Sequence, residues 1–592
     1  MAIINSTAIA ANVNGHNSLF PTTSLQETQT SDPSFTLTRI GQHTLNTPLD
    51  PGCLCYPSLV LRIDRSAWIL AVVSGVLQVL IFPRPNLYPL AWAAFAPLLI
   101  ALLRARPSNE VRFPATFGSA LLPASPAQGF LLAYVSGVIW YAGTCYWVYD
   151  TMHQYGGLST PAALGVVVLF CLYLGIYHGF FGLLVALLAG GKEKRVRRAL
   201  FLSPFVWVAV ELARSRITAF PWDLLGTAQV DNISLTRIAT ITGVYGVSFE
   251  ILLVNTVFAA AFLVSREKRK IILIDALAVA VILQLMGLIR MPISRPDHTA
   301  LLVQENIPIL NPAEWTTQYF ADTIGELNRL SSPSSRGPHS GRPDLIVWPE
   351  SPAPFYVSDP PFRDAITAVA RRNQTYVLAG SLGTDSATQR SQASRMYNSA
   401  VLIDPNGELV ARYDKIHLVP FGEYLPFPSI FGFAGGLTRE VGEFTHGASR
   451  EPLPVGDYSL GVFICYESVF PDEVRLFARR GAQVFVNVSN DGWYGDSGAF
   501  AQHLNQARMR AIENHRWLVR STNTGVTASI DPYGRLVARL PRNVRTPLEA
   551  PYGLVSSTTF YTRHGDWFAY LCAIISAVAL LVRFRVRAGT VR

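Results

Sequence analysis

The chain has 592 residues, of which 50% are hydrophobic and only 15% are charged. This composition is too apolar for an ordinary soluble enzyme of several domains, so a membrane protein is the first hypothesis. The formal net charge of +9 requires no nucleic-acid partner, because much of the excess lies in short loops between apolar segments, where it can meet anionic headgroups.

Residues 1–60 predict a disordered extension, because they are rich in Ser, Thr and Asn and show no hydrophobic periodicity. They lack the basic start and the following apolar stretch of a cleaved signal peptide. The apolar segments further along the chain are therefore expected to direct membrane insertion themselves.

Eight apolar runs predict a polytopic α-helical membrane protein with about eight transmembrane helices, since about 20 apolar residues span the hydrocarbon core of a bilayer. The runs cover residues 67–82, 88–103, 129–149, 161–189, 199–214, 238–264, 271–290 and 567–582. The rest of the chain divides into residues 61–295 with transmembrane helices 1–7, an exterior domain of residues 296–563, and residues 564–592 with transmembrane helix 8 and a basic tail.

Lysine and arginine residues predict the orientation of these helices, because short cytoplasmic loops are enriched in them. They cluster at residues 104–112, 192–198, 266–270 and 583–592. With eight spans these four segments lie on one side, so both termini are expected in the cytoplasm and the exterior domain outside it. The exterior loop 215–237 departs from the rule, since it keeps Arg216 and Arg237.

The exterior domain alternates short β-rich runs with segments of helical spacing, which predicts a layered α/β domain with sheets inside and helices outside. The predicted strands are residues 299–307, 344–351, 375–381, 398–410, 460–468, 482–491, 517–525 and 526–537. The predicted helices are residues 362–373, 471–481 and 500–515. In such folds catalytic groups collect where strands end and loops begin.

Three residues stand at such ends: Glu350, Lys415 and Cys465. Each alone is also typical of a plain structural role, as a surface carboxylate, a solvated lysine and a packed small thiol. Cys465 is the only cysteine of the exterior domain, and a lone thiol in an oxidising compartment favours a reactive role. The N-terminus of the helix predicted from residue 471 can stabilise a thiolate.

Together these residues fit the attack of a cysteine on an acyl carbon. That chemistry needs a base for the thiol proton, a cation or donor for the oxyanion, and the same base to protonate the leaving group. A glutamate, a lysine and a cysteine supply all three parts. A histidine is the alternative base, and the candidates in the exterior domain are His417, His446, His503 and His515.

Five segments of the exterior domain carry a more specific signal: "WPES", "YDKIHLVPFGEYLPF", "CYES", "NVSNDGWYGDSG" and "ARMRAIENHRWLVRSTNTGVT". In this order they resemble the carbon–nitrogen hydrolase (nitrilase) superfamily, and more closely its membrane-embedded branch, the apolipoprotein N-acyltransferase family. The apolar stretches "LYPLAWAAFAPLL", "ELARSRITAFPWDLLGTAQ" and "GVYGVSFE" are similar to the spans of that family. The resemblance covers roughly residues 65–585. It implies a nitrilase-like αββα sandwich, a bacterial inner membrane with the catalytic domain in the periplasm, and no metal or cofactor.

The resemblance also implies a role for each strand-end residue. Cys465 is expected to be the nucleophile that takes an acyl chain from a phospholipid, such as phosphatidylethanolamine, as a thioester. Glu350 is expected to be the general base, and Lys415 the cation that stabilises the oxyanion. The N-terminal amine of a diacylglyceryl-cysteine apolipoprotein would then attack the thioester and leave as an amide, with ping-pong kinetics.

Further positions match functionally sensitive ones in the family. Glu423 is expected to brace the lysine, and Tyr466 and Glu467 lie beside the nucleophile. The remaining supporting residues are Trp315, Asn398 and Glu513.

Two aromatic segments are expected to serve substrate entry. Residues 418–437 form either a mobile lid that dips into lipid or a rigid loop packed on the domain. Residues 219–223 either line the acyl entrance or anchor the chain at the membrane boundary. The aromatic residues singled out in these segments are Phe220, Trp222, Phe421 and Phe427.

Two positions depart from the family's pattern. Ala219 stands where glycine is common, and its added methyl group would narrow the choice of acyl chain if the backbone approaches lipid there. Glu250 is an acid within an apolar run. An intramembrane acid points to function, but this one lies close enough to the end of its run to be solvated.

Two other functions remain open from the sequence. The first is a membrane-anchored amidase or nitrilase that hydrolyses a carbon–nitrogen bond with the same three residues, although one span would suffice as its anchor. The second is a non-enzymatic transporter or envelope scaffold, although the apolar runs offer few ligands for an ion or substrate.

Overall fold

The structure, a computed structural model, describes residues 63–107, 121–190, 193–264, 266–286, 288–289, 292, 294–310, 314–335, 341–351, 354–385, 395–424 and 444–588. Residues Leu59–Arg592 form one compact unit. The predicted disordered extension of residues 1–60 lies outside the described residues.

The helices fall into a long N-terminal set, a set within the exterior domain, and a C-terminal helix. They are α1 (Arg65–Leu80), α2 (Ala96–Leu103), α3 (Pro126–Thr144), α4 (Trp147–Asp150), α5 (Thr160–Ala189), α6 (Glu193–Ala213), α7 (Ile233–Thr236), α8 (Ala239–Thr242), α9 (Val244–Ala261), α10 (Arg266–Met286), α11 (Thr317–Leu330), α12 (Pro360–Asn373), α13 (Pro471–Arg479), α14 (Ala499–Asn514), α15 (Phe560–His564) and α16 (Trp567–Ala588). Shorter helical turns cover Tyr88–Trp92 before α2, Thr151–Tyr155 after α4, Arg214–Thr218 after α6 and Leu225–Gln229 before α7.

Three of the described helices are long and apolar enough to cross a membrane, namely α5, α9 and α16. A fourth candidate arises if α3 and the segment Trp147–Tyr155 count as one span, bent by 54° at the break between them. The chain is therefore a membrane protein with several candidate spans.

The predicted number of eight spans is not confirmed. Each predicted run coincides with helix, but α1 and the segment Tyr88–Leu103 are shorter than a straight span needs. Helices α6 and α10 begin with the charged sequences EKRVRR and REKRK, which shortens their apolar part.

Close packing of α3 against α5 depends on small residues. A Cβ atom added at Gly129 would lie 2.6 Å from the carbonyl oxygen of Gly182. Small residues allow helix backbones to approach this closely. Such close packing stabilises helix association in a bilayer, where the hydrophobic effect between helices is absent because the lipid tails are themselves apolar.

The exterior domain contains two sheets of six strands. The strands outside it are the short pair β1 (Arg106–Pro107) and β2 (Leu121–Leu122). One sheet has the order β14 (Thr546–Tyr552), β3 (His298–Gln304), β4 (Leu345–Val347), β5 (Tyr376–Asp385), β6 (Arg395–Ile403) and β7 (Leu409–Asp414). The other has the order β13 (Leu536–Arg539), β12 (Ala528–Ile530), β11 (Leu518–Thr522), β10 (Val484–Ser489), β9 (Tyr458–Ile464) and β8 (Leu453–Val455). Three neighbouring strands in each sheet are parallel, and the outer pairs are antiparallel.

The sheets and helices form a four-layered α/β sandwich, because successive side chains of a strand point to opposite faces. In β3, Ala300 and Leu302 pack toward the other sheet. Leu301 and Val303 pack with residues of α11 and α12 on the outer side. On the far side α13 covers β9, with Phe477 against Gly461. This arrangement confirms the predicted nitrilase-like sandwich.

Candidate active site

Three strand ends bring Glu350, Lys415 and Cys465 together. Glu350 follows β4, Lys415 directly follows β7, and Cys465 directly follows β9. The Lys415 Nζ donates to Glu350 Oε1 at 3.2 Å. All three residues are buried, with Cys465 only 5% exposed.

The backbone holds Cys465 in an unusual conformation. Its φ is +49°, in the left-handed region that non-glycine residues rarely adopt. A tight helical turn, Cys465–Val469, begins at this residue. Strained residues of this kind cluster at functional sites, so the geometry supports a special role for the thiol.

A carboxylate pair surrounds the Lys415 ammonium. Glu423 Oε1 accepts from Nζ at 2.9 Å, in addition to the bond to Glu350. Asn398 Nδ2 donates to both carboxylates, at 2.8 Å to Glu350 and 2.6 Å to Glu423. Burial alone would lower the pKa of Lys415, but the Glu350 and Glu423 charges outweigh it and raise that pKa well above its usual value. The lysine is therefore a permanent cation.

The second oxygen of each carboxylate is fixed by the backbone. Asn490 N–H donates to Glu350 Oε2 at 2.8 Å, and Val419 N–H donates to Glu423 Oε2 at 2.7 Å. Both side chains are thereby held in one orientation without a mobile partner.

The resting thiol of Cys465 is protonated. Burial raises its pKa, the nearby Glu350 charge raises it further, and Lys415 opposes the shift without cancelling it. Among the described residues no direct hydrogen bond joins Sγ to Glu350 or Lys415, so the two groups act on the thiol through their charges. Catalytic hydrogen bonds often tighten only when substrate binds, and a base is needed before this sulfur can attack.

Glu467 connects the turn that begins at Cys465 with the segment that carries Lys415. Its Oε2 accepts from Ile464 N–H at 2.7 Å. Its Oε1 accepts from the Tyr413 hydroxyl at 2.8 Å and from Ile416 N–H at 2.7 Å. One buried carboxylate thus fixes the position of the strand end at Cys465 relative to that at Lys415.

Sequence comparisons identify the family. Residues 74–257 match "Apolipoprotein N-acyltransferase N-terminal domain", and residues 306–551 match "Carbon-nitrogen hydrolase". A protein of Geobacter metallireducens named "Apolipoprotein N-acyltransferase" is 35% identical over 532 residues, which cover 88% of this chain and 96% of that protein. A protein of the same name from Methylococcus capsulatus is 33% identical over 527 residues, covering 88% and 97% respectively. The chain belongs to the apolipoprotein N-acyltransferase family.

Two solved structures are similar to part of the chain. A carbon–nitrogen hydrolase from Helicobacter pylori G27 is 19% identical, covers 43% of this chain and 88% of its own, and has a TM-score of 0.31. An amidase from Nesterenkonia sp. is 20% identical, covers 48% and 98%, and has a TM-score of 0.32. The sandwich itself is established by the strand order and the packing of the two sheets described above.

The two regions of the chain that match family models meet beside Cys465. The Tyr466 hydroxyl donates to the carbonyl oxygen of Ala219, in the loop after α6, at 3.2 Å. Ala219 has a φ of +53°, a conformation that glycine adopts without strain and that other residues rarely adopt.

The aromatic residues predicted to serve substrate entry differ in their burial and in their packing partners. Trp222 is 1% exposed, and its indole donates to Gln502 Oε1 at 2.8 Å, so it is not an interfacial anchor. Phe220 is half-buried and packs edge-on against Phe170, with 5.1 Å between ring centroids. Phe421 begins a tight turn with a φ of +64°. Phe427 and the rest of the predicted lid from residue 425 lie outside the described residues, so the role in substrate entry stays a prediction.

Two predicted supporting residues lie away from the triad. Trp315 is half-buried in the outer layer, where its ring lies 6.1 Å from that of Phe355. Glu513 is fully buried at the end of α14, pairs with Arg510 at 2.8 Å, and accepts from Val244 N–H at 2.9 Å. Glu513 therefore joins the catalytic domain to helix α9. The departure Glu250 lies in the same helix and is partly buried.

His503 is a site residue that sequence reasoning considered only as a competing base. Its Nε2 lies 3.0 Å from the carbonyl oxygen of Cys465, which can only accept, so the Nε2–H donates. Its Nδ1 faces both Asp491 Oδ1 at 2.9 Å and the Arg520 guanidinium at 3.1 Å. Burial and the Arg520 charge lower the pKa of His503, and the Asp491 carboxylate opposes the shift without cancelling it. The signal in the sequence is the run of polar residues in α14, but the contact of His503 with Cys465, directly after β9, becomes visible only in three dimensions.

The other histidines lie elsewhere. His417 stacks on Phe470 at 4.1 Å and faces Glu473. His446 is exposed and bonds to the carbonyl of Ile416. His515 follows α14 at the end remote from the nucleophile. The described residues contain no group of three or more His, Cys, Asp or Glu side chains placed to hold a metal ion.

Proposed function

We propose that the protein is a phospholipid:apolipoprotein N-acyltransferase that carries its acyl chain on Cys465. The observation that carries the proposal is the buried cluster of Glu350, Lys415 and Cys465, set directly beside the Ala219 loop of the helical region. The family's name supports the acceptor class, and the buried thiol supports a covalent intermediate.

The first half-reaction forms a thioester. Glu350 takes the proton of the thiol while Sγ attacks the ester carbonyl carbon of a phospholipid. The oxyanion of the tetrahedral intermediate lies against the Lys415 ammonium, which is charged before the reaction begins. The carbon–oxygen ester bond then breaks, and Glu350 returns the proton to the oxygen of the departing lysophospholipid.

The second half-reaction forms an amide. The N-terminal amine of a diacylglyceryl-cysteine apolipoprotein attacks the thioester carbonyl carbon, and Glu350 takes the proton that the amine loses. The carbon–sulfur bond breaks as the oxyanion collapses, and the proton returns to the sulfur of Cys465. Because a thioester also reacts with water, the low exposure of the thiol protects the intermediate until the amine arrives.

The proposal includes the topology. Residues 61–295 and 564–592 form the membrane part, and residues 296–563 form the catalytic domain on the periplasmic side of a bacterial inner membrane, with both termini in the cytoplasm. Helix α9 begins at Val244, whose backbone N–H donates to Glu513 of the catalytic domain, and helix α16 begins at Trp567, whose indole N–H donates to Ile241 just before α9. The C-terminus then lies on the opposite side of the bilayer from the domain, where its arginines are favoured.

Intact-protein mass spectrometry tests the chemistry. The full-length protein is incubated with phosphatidylethanolamine and is expected to gain the mass of one fatty acyl group, which maps to Cys465 and disappears when a diacylglyceryl-cysteine peptide is added. Cys465→Ala is the control and gains no mass. A lipid adduct that persists in Cys465→Ala, or ammonia release from small amides without any lipid adduct, would contradict the proposal and favour the amidase.

A further inference from the structure

A second cavity lies where the catalytic domain meets the helical region, remote from the nucleophile. Its volume is about 250 Å³. One wall comes from the segment before α9, with Arg237, Thr240 and Ile241, and the other includes Ser557 and Phe560. We refer to it as the Arg237 cleft.

The Arg237 cleft is distinct from the catalytic centre. It includes His515, which follows α14, whereas His503 of the same helix contacts Cys465. Twelve residues separate the two histidines, which corresponds to about 18 Å along a helix. The ester carbonyl of a phospholipid lies only a few bonds from its phosphate, so a lipid held by its headgroup in this cleft is not the acyl donor.

The mouth of the cleft lies at the level where two candidate spans begin. Ile241 precedes α9 and is 49% exposed, and Phe560 is 47% exposed. Trp567, the first residue of α16, donates its indole N–H to the carbonyl of Ile241 at 2.8 Å and packs edge-on against Phe560 at 5.6 Å. Tryptophan at the end of a span marks the headgroup layer of a bilayer.

Three arginines around the cleft lack a carboxylate partner among the described residues. Arg237 is exposed and makes neither a hydrogen bond nor an ion pair through its guanidinium within that part of the chain. Arg563 donates to the hydroxyl of Thr558 at 2.7 Å. Arg516 is fully buried, and its hydrogen bonds go only to carbonyl groups, including that of Ser557 at 2.6 Å.

An acid close to His515 is already paired. Asp531 acts on the charge of His515 but forms an ion pair with Arg535, so it does not neutralise the cleft. Buried cations are costly without a counter-charge, and the positive field of Arg516 adds to that of Arg237 at the cleft surface. The electrostatics therefore favour an anion.

We propose that the Arg237 cleft binds the phosphate group of a membrane phospholipid, with Arg237 on the phosphate and with Ile241 and Phe560 against the glycerol and the first acyl carbons. A guanidinium together with hydroxyl groups is the donor set that suits phosphate. Basic pockets beside membrane helices take lipid headgroups in the same way. The bound lipid joins α9 and α16 to the catalytic domain and is separate from the substrate in the proposed function.

Native mass spectrometry of the full-length Cys465→Ala protein, which does not consume lipid, tests this site. The probes are phosphatidylglycerol, a diacylglycerol with the same acyl chains, and inorganic phosphate. Arg237→Gln is expected to lower phosphatidylglycerol occupancy about tenfold or more, since a charge-assisted hydrogen bond is lost. Arg372→Gln, an exposed arginine on α12, is the matched control and is expected to leave occupancy unchanged.

Three outcomes would overturn the proposal. If Arg237→Gln keeps the phosphatidylglycerol occupancy of the protein that has Arg237, this arginine does not bind the lipid. If diacylglycerol binds as well as phosphatidylglycerol, the phosphate group does not contribute to binding. Inorganic phosphate that binds as tightly as phosphatidylglycerol, with the same dependence on Arg237, assigns the cleft to free phosphate and not to lipid.

A second variant separates loss of the site from loss of the fold. Ser557→Trp fills the cleft while Arg237 remains, and it is expected to lower phosphatidylglycerol occupancy as Arg237→Gln does. In a background that keeps Cys465, both variants should still form the acyl adduct, which reports a folded catalytic centre. Full phosphatidylglycerol occupancy in Ser557→Trp would contradict the proposed position of the lipid.

Discussion

The two ends of helix α14 lie next to sites with opposite electrostatic environments. His503, near one end, contacts Cys465, and in that site the cation Lys415 lies between two carboxylates and is buried. Near His515, Arg237 and Arg516 have no carboxylate partner in the described part of the chain. This difference fits the two proposed roles. A cation that stabilises a transient oxyanion needs a fixed position, which the two carboxylates provide for Lys415. A cation that binds a permanent anion needs an accessible guanidinium, as Arg237 has.

The largest effect that separates the two ends is expected from Cys465→Ala. This variant should form no acyl adduct with phosphatidylethanolamine, because no other described thiol lies beside the Glu350 and Lys415 pair. Phosphatidylglycerol occupancy of the Arg237 cleft should be unchanged in the same protein. Simultaneous loss of both would show that the two sites are one.

Removal of the catalytic cation is the next test. Lys415→Met should lower the single-turnover rate of acylation by about 10²- to 10³-fold, the loss typical of an oxyanion partner. Glu423→Gln should have a smaller effect, because Lys415 keeps Glu350 as its partner. The rates are measured by quenched-flow mass spectrometry, and an unchanged rate in Lys415→Met would contradict the role of the lysine.

The protonated state of the resting thiol predicts a steep pH dependence of its labelling. The pKa of Cys465 is raised, so at any pH below it the thiolate fraction grows about tenfold for each pH unit. Modification of Cys465 by iodoacetamide should therefore rise without a plateau from about pH 7 to about pH 9. Glutathione, measured in parallel, should begin to level off within this range, and an early plateau for Cys465 would contradict the shift.

The hydrogen bond from His503 to the Cys465 carbonyl should contribute less than the catalytic groups. His503→Ala is expected to slow acylation about tenfold, in line with the loss of one hydrogen bond to a strained turn. His503→Gln, which keeps a donor, should restore part of the rate, whereas a merely space-filling role would not distinguish donor from non-donor replacements. His446→Ala, at an exposed position, is the control and should leave the rate unchanged.

The smallest effect is expected at Ala219. Replacement by glycine removes the strain of its left-handed backbone and should raise the free energy of unfolding by up to about 1 kcal/mol. Ala213→Gly, at a right-handed position with a φ of −59°, should instead lower it. Thermal unfolding in detergent measures both, and a loss of stability in Ala219→Gly would contradict the strain.

Sequence patterns predicted that the candidate site lies at strand ends, and the structure has Lys415 and Cys465 directly after β7 and β9 and Glu350 three residues after β4. The motifs around Glu350, Lys415 and Cys465 predicted that these residues meet, and the structure adds the Asn398 and Glu423 contacts that hold them. The catalytic roles themselves stay proposals that the experiments above test.

Edge strands and long-range junctions were harder to predict. β14 was missed because Pro547 and Pro551 signal a break, although proline is tolerated at the edge of a sheet. β6 and β7 were grouped in one β-rich run at residues 398–410, within which DPNG signals a turn, and the structure places that turn at Gly407, with a φ of +84°. The Arg237 cleft combines residues more than 300 positions apart, so no local pattern could indicate it.

The number of spans shows the same limit. Apolar runs predicted helices, but a membrane crossing also requires length, and α1 and α2 do not supply it alone. The position of such short helices in a bilayer depends on the helices packed against them and on the charges at their ends. The hydropathy of a local segment does not contain that information.

The hydrogen bond from the Val244 N–H to Glu513 connects helix α14, which contacts Cys465 through His503, to the membrane helix α9. Val244 is the first residue of α9, so a change in the tilt of α9 pulls on one end of α14 while His503, near the other end, holds the carbonyl of the nucleophile. Bilayers of different thickness change helix tilt. We therefore expect turnover to differ between nanodiscs of short-chain and long-chain lipids, so that activity depends on bilayer thickness.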